Sequence, residues 1–365
     1  MPGYDWKIFH DDGTVTELDD VTGFTISKGR RQVQDPYRVG TAVITGRVPT
    51  GLPTINIGDS ISIANYSVSP AVSMFQGEVA DFRIDYGTVP EEDTWELTCE
   101  DGFASLGRAF ASGSFTPGDQ PFTAALYMIA TVQGLTISNP YPGIGSASTV
   151  SGYSFTNQSV FDIIQTLIFT EQGWIYPIQP GQFGWINRAA LGQLPTVCAF
   201  SDGTVATSED VVPVQGAQFY SQADSRYDRV IIRPDGLAAQ SSGTATGTTF
   251  ERESFDQTTS GAANLADYVL QTLQVNRAVP YQVMTTSEVQ TNDAVIDAFI
   301  EAGRGGRAEV ILRGVKSNVF LEGATLTASP ERVRFVFNLT SVDAQNFFVL
   351  DDPVLGVLDS SRLGF

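Results

Sequence analysis

Hydrophobic and polar residues alternate along most of the chain. In TWELTCE, Trp95, Leu97 and Cys99 fall on one side while Glu96, Thr98 and Glu100 fall on the other, the period of two that marks a strand with one wet face. The same alternation runs through DSISIANY (Ile61, Ile63), RAEVILRG and RVRFVFNLTS (Val333, Phe335, Phe337, Leu339). GEVADFRIDY, with Val79 and then Phe82 and Ile84, reads as the same alternation. Turn signals such as Asp11-Asp12-Gly13, Val48-Pro49-Thr50-Gly51 and Ile57-Gly58-Asp59 separate these runs, the texture of β-sandwiches or barrels. Four segments switch to helical spacing and predict amphipathic helices over about 120–133, 158–171, 260–275 and 292–302. The second has Val160, Ile163, Ile164, Leu167 and Ile168 along one face.

Changes of texture divide the chain. Residues 1–108 read as an N-terminal β-barrel domain and 109–212 as an α+β middle domain with a hairpin, GWIYPIQPGQFGWINRA, turning at Pro180-Gly181. Residues 213–346 read as a second β-rich barrel domain with helices, in which LAAQSSGTATGTTF is expected to be an exposed loop. Residues 347–365 form a C-terminal arm. The expected class is therefore mainly β with minor α, two β-barrel or sandwich domains flanking an α+β middle domain.

The arm is unusually apolar for a chain end. Phe347, Phe348, Leu350, Leu355, Leu358, Leu363 and Phe365 are the candidate interface residues, expected to lie on a neighbouring subunit or, failing that, along an edge of their own sheet. The basic, glycine-rich Gly303–Arg307 reads as the turn from helix to strand and as a second segment to watch at an interface.

Charge narrows the functional classes. The 365 residues hold 21 Lys and Arg against 41 Asp and Glu, a net charge of −20. Tight nucleic-acid binding neutralises phosphates with cations, so this balance opposes it, as it opposes an anionic membrane surface. The opening MPGYDWKIFHDDG lacks a basic head followed by an apolar run, so no secretory signal is expected, and no stretch is apolar enough to predict membrane insertion. Cys99 and Cys198 sit in separate strand-like runs and read as buried free thiols. Asn338 of the sequon Asn338-Leu-Thr lies in a strand pattern, a poor place for a glycan, and Asn157-Gln-Ser reads as a chance match.

Catalytic constellations are poorly served. His10 is the one histidine, two distant cysteines complete no zinc set, and no phosphate-binding loop is present. Asp11, Asp12, Asp351, Asp352 and Asp359 lack the spacing of a calcium loop, and the carboxylates of VPEEDTWELTCED read as a solvated hairpin. No enzyme, cofactor or metal is expected.

The order of motifs resembles a known family. YDWKIFHDDGTVTELDDVTGFTISKGRRQVQDPYRVGTAVITGRVP, then IGDSISI, MFQGEVADFRIDYG and WELTCEDGFASLGRA, with LDDPVLGVLDSSRLGF at the end, resemble the minor tail proteins of long-tailed bacteriophages of the tail or baseplate hub type. The signature is a Gly-Asp before a strand, F-x-G-x-V-x-D, then L-x-C-x-D and a short helix. The resemblance implies a virion tail protein made in the bacterial host cytoplasm, a homotrimer whose two barrels per chain form a ring of six. It also implies distal tail, tape-measure and tip proteins as partners, and a channel through which the genome passes without specific binding. The acidic balance leads to the expectation of an acidic lumen. A hexameric distal-tail ring and a host-surface binder exposing Trp174, Tyr176 and Trp185 are the alternatives, with a carbohydrate-degrading tail enzyme a more distant third.

Overall fold

The computed structural model describes residues 4–9, 14–18, 20–48, 55–65, 72–89, 92–132, 134–141, 148–203, 211–219, 227–275, 280–287 and 293–342. The first β unit comprises β1 (Tyr4–Phe9), β2 (Val15–Glu17), β3 (Val21–Gly29), β4 (Thr41–Arg47), β5 (Ser60–Asn65), β6 (Val72–Asp85) and β7 (Thr94–Glu100). A mixed segment follows with α1 (Phe103–Arg108), β8 (Phe110–Ser114), α2 (Pro121–Ala130), β9 (Thr136–Ser138), β10 (Ser154–Ser159), α3 (Val160–Glu171), β11 (Trp174–Gln179), β12 (Gln182–Ile186) and α4 (Arg188–Leu191). Next come β13 (Thr196–Ser201), β14 (Val211–Pro213), β15 (Gly216–Phe219), β16 (Arg229–Pro234), β17 (Gln240–Gly243), β18 (Thr249–Ser254) and α5 (Thr259–Val275). The chain continues through β19 (Pro280–Ser287), α6 (Asp293–Glu301), β20 (Arg307–Leu312), β21 (Val315–Ala328) and β22 (Val333–Ser341).

The architecture is mainly β. Strands from both ends of the chain join in one 14-stranded sheet, and a single apolar cluster underlies it, with Ile44, Leu97 and Cys99 from one unit and Phe200, Phe299, Phe335 and Phe337 from the other. Alternation places these side chains: along β22, Val333, Phe335, Phe337 and Leu339 are buried while Arg334 and Val336 face outward. The three-residue step from Val79 to Phe82 is a β-bulge, which puts Val79 opposite Cys99 and Phe82 opposite Leu97. β13 and β14 add parallel strands beyond β20, although they belong to the segment that texture assigned to the middle of the chain.

The mixed segment has its own core, with Val160, Ile163, Ile164 and Leu167 of α3 against Ala125 and Met128 of α2 and Trp185 of β12. Pro121 opens α2, and the Ser159 hydroxyl accepts from the Asp162 amide to cap α3. Pro180-Gly181 turns β11 into β12 as the pattern predicts. The Ser/Gly-rich stretch is not simply a loop, because Gln240–Gly243 forms β17 and pairs with β16 under α5. Ser241 stays exposed, while Ser242 is half-buried and its hydroxyl donates to the Asp267 carboxylate of α5.

Cys99 and Cys198 are buried free thiols, and burial pushes the Cys99 thiol up to about 12. Asn338 lies within β22, where its amide donates to the Arg30 carbonyl oxygen and accepts from Gln282. No described helix is long and apolar enough to cross a membrane. Among the described residues no group of three metal-ligating side chains forms. His10, Asp11, Asp12 and the aspartates of the arm lie outside the described residues.

Candidate assembly surface

The large sheet contains the same five-strand pattern twice. In the first unit β3 pairs with β4, β4 with β7, β7 with β6 and β6 with β5, all antiparallel. In the second, β15 pairs with β19, β19 with β22, β22 with β21 and β21 with β20, again all antiparallel. The long strands β6 and β21 correspond in detail. Each is 14 residues, and each carries a bulge against the strand that follows it, at Val79/Asp81 on β6 and at Leu321/Gly323 on β21; β6 has a second bulge, at Met74 against β5.

At the Val79 and Leu321 bulges the preceding turn straps the strand through two backbone hydrogen bonds. Val79 donates to the Asp59 carbonyl and accepts from the Gly58 amide, both at 2.8 Å. Leu321 donates to the Gly306 carbonyl at 2.8 Å and accepts from the Gly303 amide at 2.9 Å. The Gly-Asp motif thus fixes where β5 starts, helped by the Asp59 carboxylate, which accepts from the Asn56 amide at 2.7 Å. The glycine of F-x-G-x-V-x-D has an equally local cause, since a Cβ on Gly77 would strike the Glu100 carbonyl of β7. The Gly303–Arg307 loop supplies the second strap and carries α6 into β20.

Beyond its bulge, β21 leaves β20 and pairs with β3 of the first unit, from Gly323 opposite Gly29 to Ala328 opposite Phe24. This internal joint is close-packed at its start. Gly29 and Gly323 face each other backbone to backbone, and a Cβ on either would run into the opposite strand. Beside them, Arg30 Nε lies 2.6 Å from Glu322 Oε2, with side chains 9% and 0% exposed. The guanidinium is sandwiched by rings, 4.9 Å from the centroid of Tyr37 and 4.6 Å from that of Trp174. Burial pushes the Glu322 carboxyl up, and Arg30 pulls against that shift.

Lys28 crosses the same joint. Its Nζ donates to the Ile300 carbonyl at 3.0 Å, near the C-terminus of α6, and sits 4.5 Å from the Phe299 ring centroid. Desolvation holds this ammonium well below the usual lysine range. A cavity of about 100 Å³ opens there, lined in part by Lys28, Asp101, Tyr176 and Arg304. Asp101, the aspartate of L-x-C-x-D, starts α1 by accepting from the Phe103 amide at 3.0 Å, and desolvation raises its carboxyl to about 7.

That shift sets a pH dependence. The folded protein holds a proton on Asp101 up to about pH 7, whereas an unfolded aspartate releases it near ~3.9. Native protein therefore binds more protons between these values, and stability falls as pH rises from about 4 through 7, by up to ~4 kcal/mol at ~1.4 kcal/mol per unit. Urea denaturation of wild type and Asp101→Asn across this range is expected to give a steeper decline in wild type; parallel curves would refute the assignment.

The face of the sheet turned away from the core is lined by hydroxyls. Thr25 and Ser27 on β3 bond across the joint to Thr327 and Thr325 at 3.5 and 3.3 Å, and Thr22 meets Thr45 at 3.4 Å. Charges on this face are mixed: Asp81, Asp85 and Glu96 accompany Arg83 and Arg334, and Arg83 pairs with Asp85 at 2.8 Å. The net acidity of the chain is not concentrated on it, because β-branched threonine fills the wet positions of these strands.

Phe347, Phe348, Leu350, Leu355, Leu358, Leu363 and Phe365 lie outside the described residues. Trp174 and Trp185 are 1% and 0% exposed, so they form no open aromatic groove. Trp174 packs on Arg30 and Phe320, and Trp185 donates to Asn187 at 2.8 Å. Tyr176 is half-buried, with Arg304 stacked 5.5 Å from its ring centroid. No spacing in the sequence points to the Arg30–Glu322 pair; its one visible signal is a lone acid following the apolar run Val319-Phe320-Leu321.

No family model matches the sequence, and no curated protein matches it. Solved structures do match. A tail protein from Neisseria meningitidis is 14% identical with a TM-score of 0.64, covering 94% of this chain and 98% of that one. The 43 kDa tail protein of prophage MuSo2 from Shewanella oneidensis is 13% identical with a TM-score of 0.64, over 94% and 99%. A prophage tail protein from Listeria monocytogenes is 11% identical with a TM-score of 0.54, over 92% and 94%. At these identities the likeness is one of fold, and it extends over nearly the whole of each chain.

Proposed function

We propose that this chain, which has the fold of prophage tail proteins, is a structural, non-catalytic component of a phage-type virion tail. In this role it is a hub in which three copies close a ring around the channel at the tail tip. The observation that carries the proposal is the repeat. Two β units of one topology lie in each chain and are joined head to tail, the long strand of one against the first strand of the other. Head-to-tail contacts generate rings when the rotation closes. Three chains then present six like units, matching a sixfold tube on one side and a threefold tip on the other.

A six-copy ring of this chain would present twelve units, and the burial of Trp174 and Trp185 removes the aromatic groove proposed for a host-surface binder. The partners of the hub are the distal tail, tape-measure and tip proteins. The hydroxyl-lined face is the one we place toward the channel. Its freedom from a block of cations lets duplex DNA pass without the counterion release that drives retention, so low affinity comes from neutral hydroxyls rather than from an acidic wall.

Light scattering of the purified protein over a range of concentrations is expected to approach the mass of three chains. A stable mass of six would replace the trimer by the distal-tail ring. A monomer at every concentration would refute closure by this chain alone.

A further inference from the structure

The internal joint leaves two strand segments without the partner that their counterparts have. In the second unit, the residues of β21 past the bulge pair on one side with β22 and on the other with β3. The corresponding residues of β6, 81–85, pair with β7 alone among the described residues, because the strap at Val79 ends the pairing with β5. In the second unit β15 holds the place of β3, and among the described residues it pairs with β19 alone. Each chain thus shows one completed copy of a joint and the two separated halves of another.

We infer that residues 81–85 of β6 in one copy pair antiparallel with β15 of a second copy, repeating between chains the contact that β21 makes with β3 within one. This rests on the hub proposed above and names the strands that close it. The side chains suit the pairing. On the core side Phe82 and Ile84 end one edge only partly covered, while at the other edge Ala217 packs partly on the core and Phe219, two residues on along β15 and past a register shift against β19, is 51% exposed. Strand addition brings these four residues together as one apolar seam, as cross-strand neighbours of an antiparallel pair. Arg83 and Asp85 point to the wet face and bond each other, so they solvate the edge without blocking it. The two segments are of unequal charge but equal need, since each presents a row of backbone groups to whatever strand arrives.

Two measurements test the joint. In wild type, hydrogen–deuterium exchange of peptides covering residues 81–85 and 216–219 is expected to slow by tenfold or more as concentration rises from monomer to oligomer, with β3 and the end of β21 unchanged. In a chain carrying Ile84→Cys and Phe219→Cys, mild oxidation is expected to give disulfide-linked dimers and trimers, whereas Arg83→Cys with Phe219→Cys, on opposite faces, gives few. Oligomer of three-chain mass with no change of exchange at either edge overturns the inference and leaves the hub standing. A protein that never oligomerises and never cross-links overturns both. Equal cross-linking of the two cysteine pairs, with unchanged exchange in wild type, also counts against the joint.

Discussion

Arg30→Ala is expected to destabilise the protein by about 3–5 kcal/mol in urea denaturation, the largest single-residue effect we foresee. The cost does not come from a strong attraction lost, because a buried ion pair roughly repays its own desolvation. It comes from what remains: a Glu322 carboxylate with no exposed surface, at the point where the two β units meet. The rings of Tyr37 and Trp174 that enclose the guanidinium would also lose their filling, adding a packing term. The double variant Arg30→Met with Glu322→Leu separates the two accounts. It is expected to recover most of the loss, since it removes the orphaned charge and restores apolar volume. If Arg30→Ala costs less than about 1 kcal/mol, or if the double variant is as unstable as the single, the pair does not hold the joint in the way described.

Strands such as β5, β7, β20 and β22 and the four longer helices were legible because each rests on local periodicity, whereas β17 was not, since its small polar residues carry no apolar alternation. Trp95, Leu97 and Cys99 face the core for no reason beyond alternation, whereas the step from Val79 to Phe82 reads as plain alternation and is a bulge in the sheet. The repeat was hidden by insertion and drift. Its first two strands, β3 and β4, are joined directly in the first unit, whereas β16, β17, β18 and α5 intervene between β15 and β19 in the second. In the other direction, β20 and β21 are joined by a two-residue turn where β5 and β6 have a longer link. Equivalent strands thus stand at unequal spacings, and no fixed period survives in the letters. The candidate site was less visible still. Arg30 and Glu322 are 292 positions apart, and only the sheet brings them together. The apolar C-terminal segment drew attention by composition, but the surfaces that the described structure leaves incomplete are β6 and β15.

Placing three lysines on the hydroxyl-lined face, as Thr25→Lys, Thr98→Lys and Thr327→Lys together, is expected to turn a passive wall into a DNA trap. The substituted positions lie on the wet side of β3, β7 and β21, where side chains are half-buried or exposed and a long cation can reach solvent. In a ring of three the change adds nine ammonium groups facing one passage. If about six to nine of them engage phosphates, affinity falls by roughly 10³–10⁵ between 50 and 200 mM salt, so binding is strong in the former and weak in the latter. Wild type, with mixed and partly paired charges on this face, is expected to retain no DNA under either condition. The form of the DNA decides where the face points. A closed ring with inward lysines admits a linear duplex by its ends but excludes a covalently closed circle, so the variant should retain linear DNA and release circles of the same sequence. Equal capture of both would place the hydroxyl face on the outside of the assembly, and with it the lumen on some other surface of the sheet.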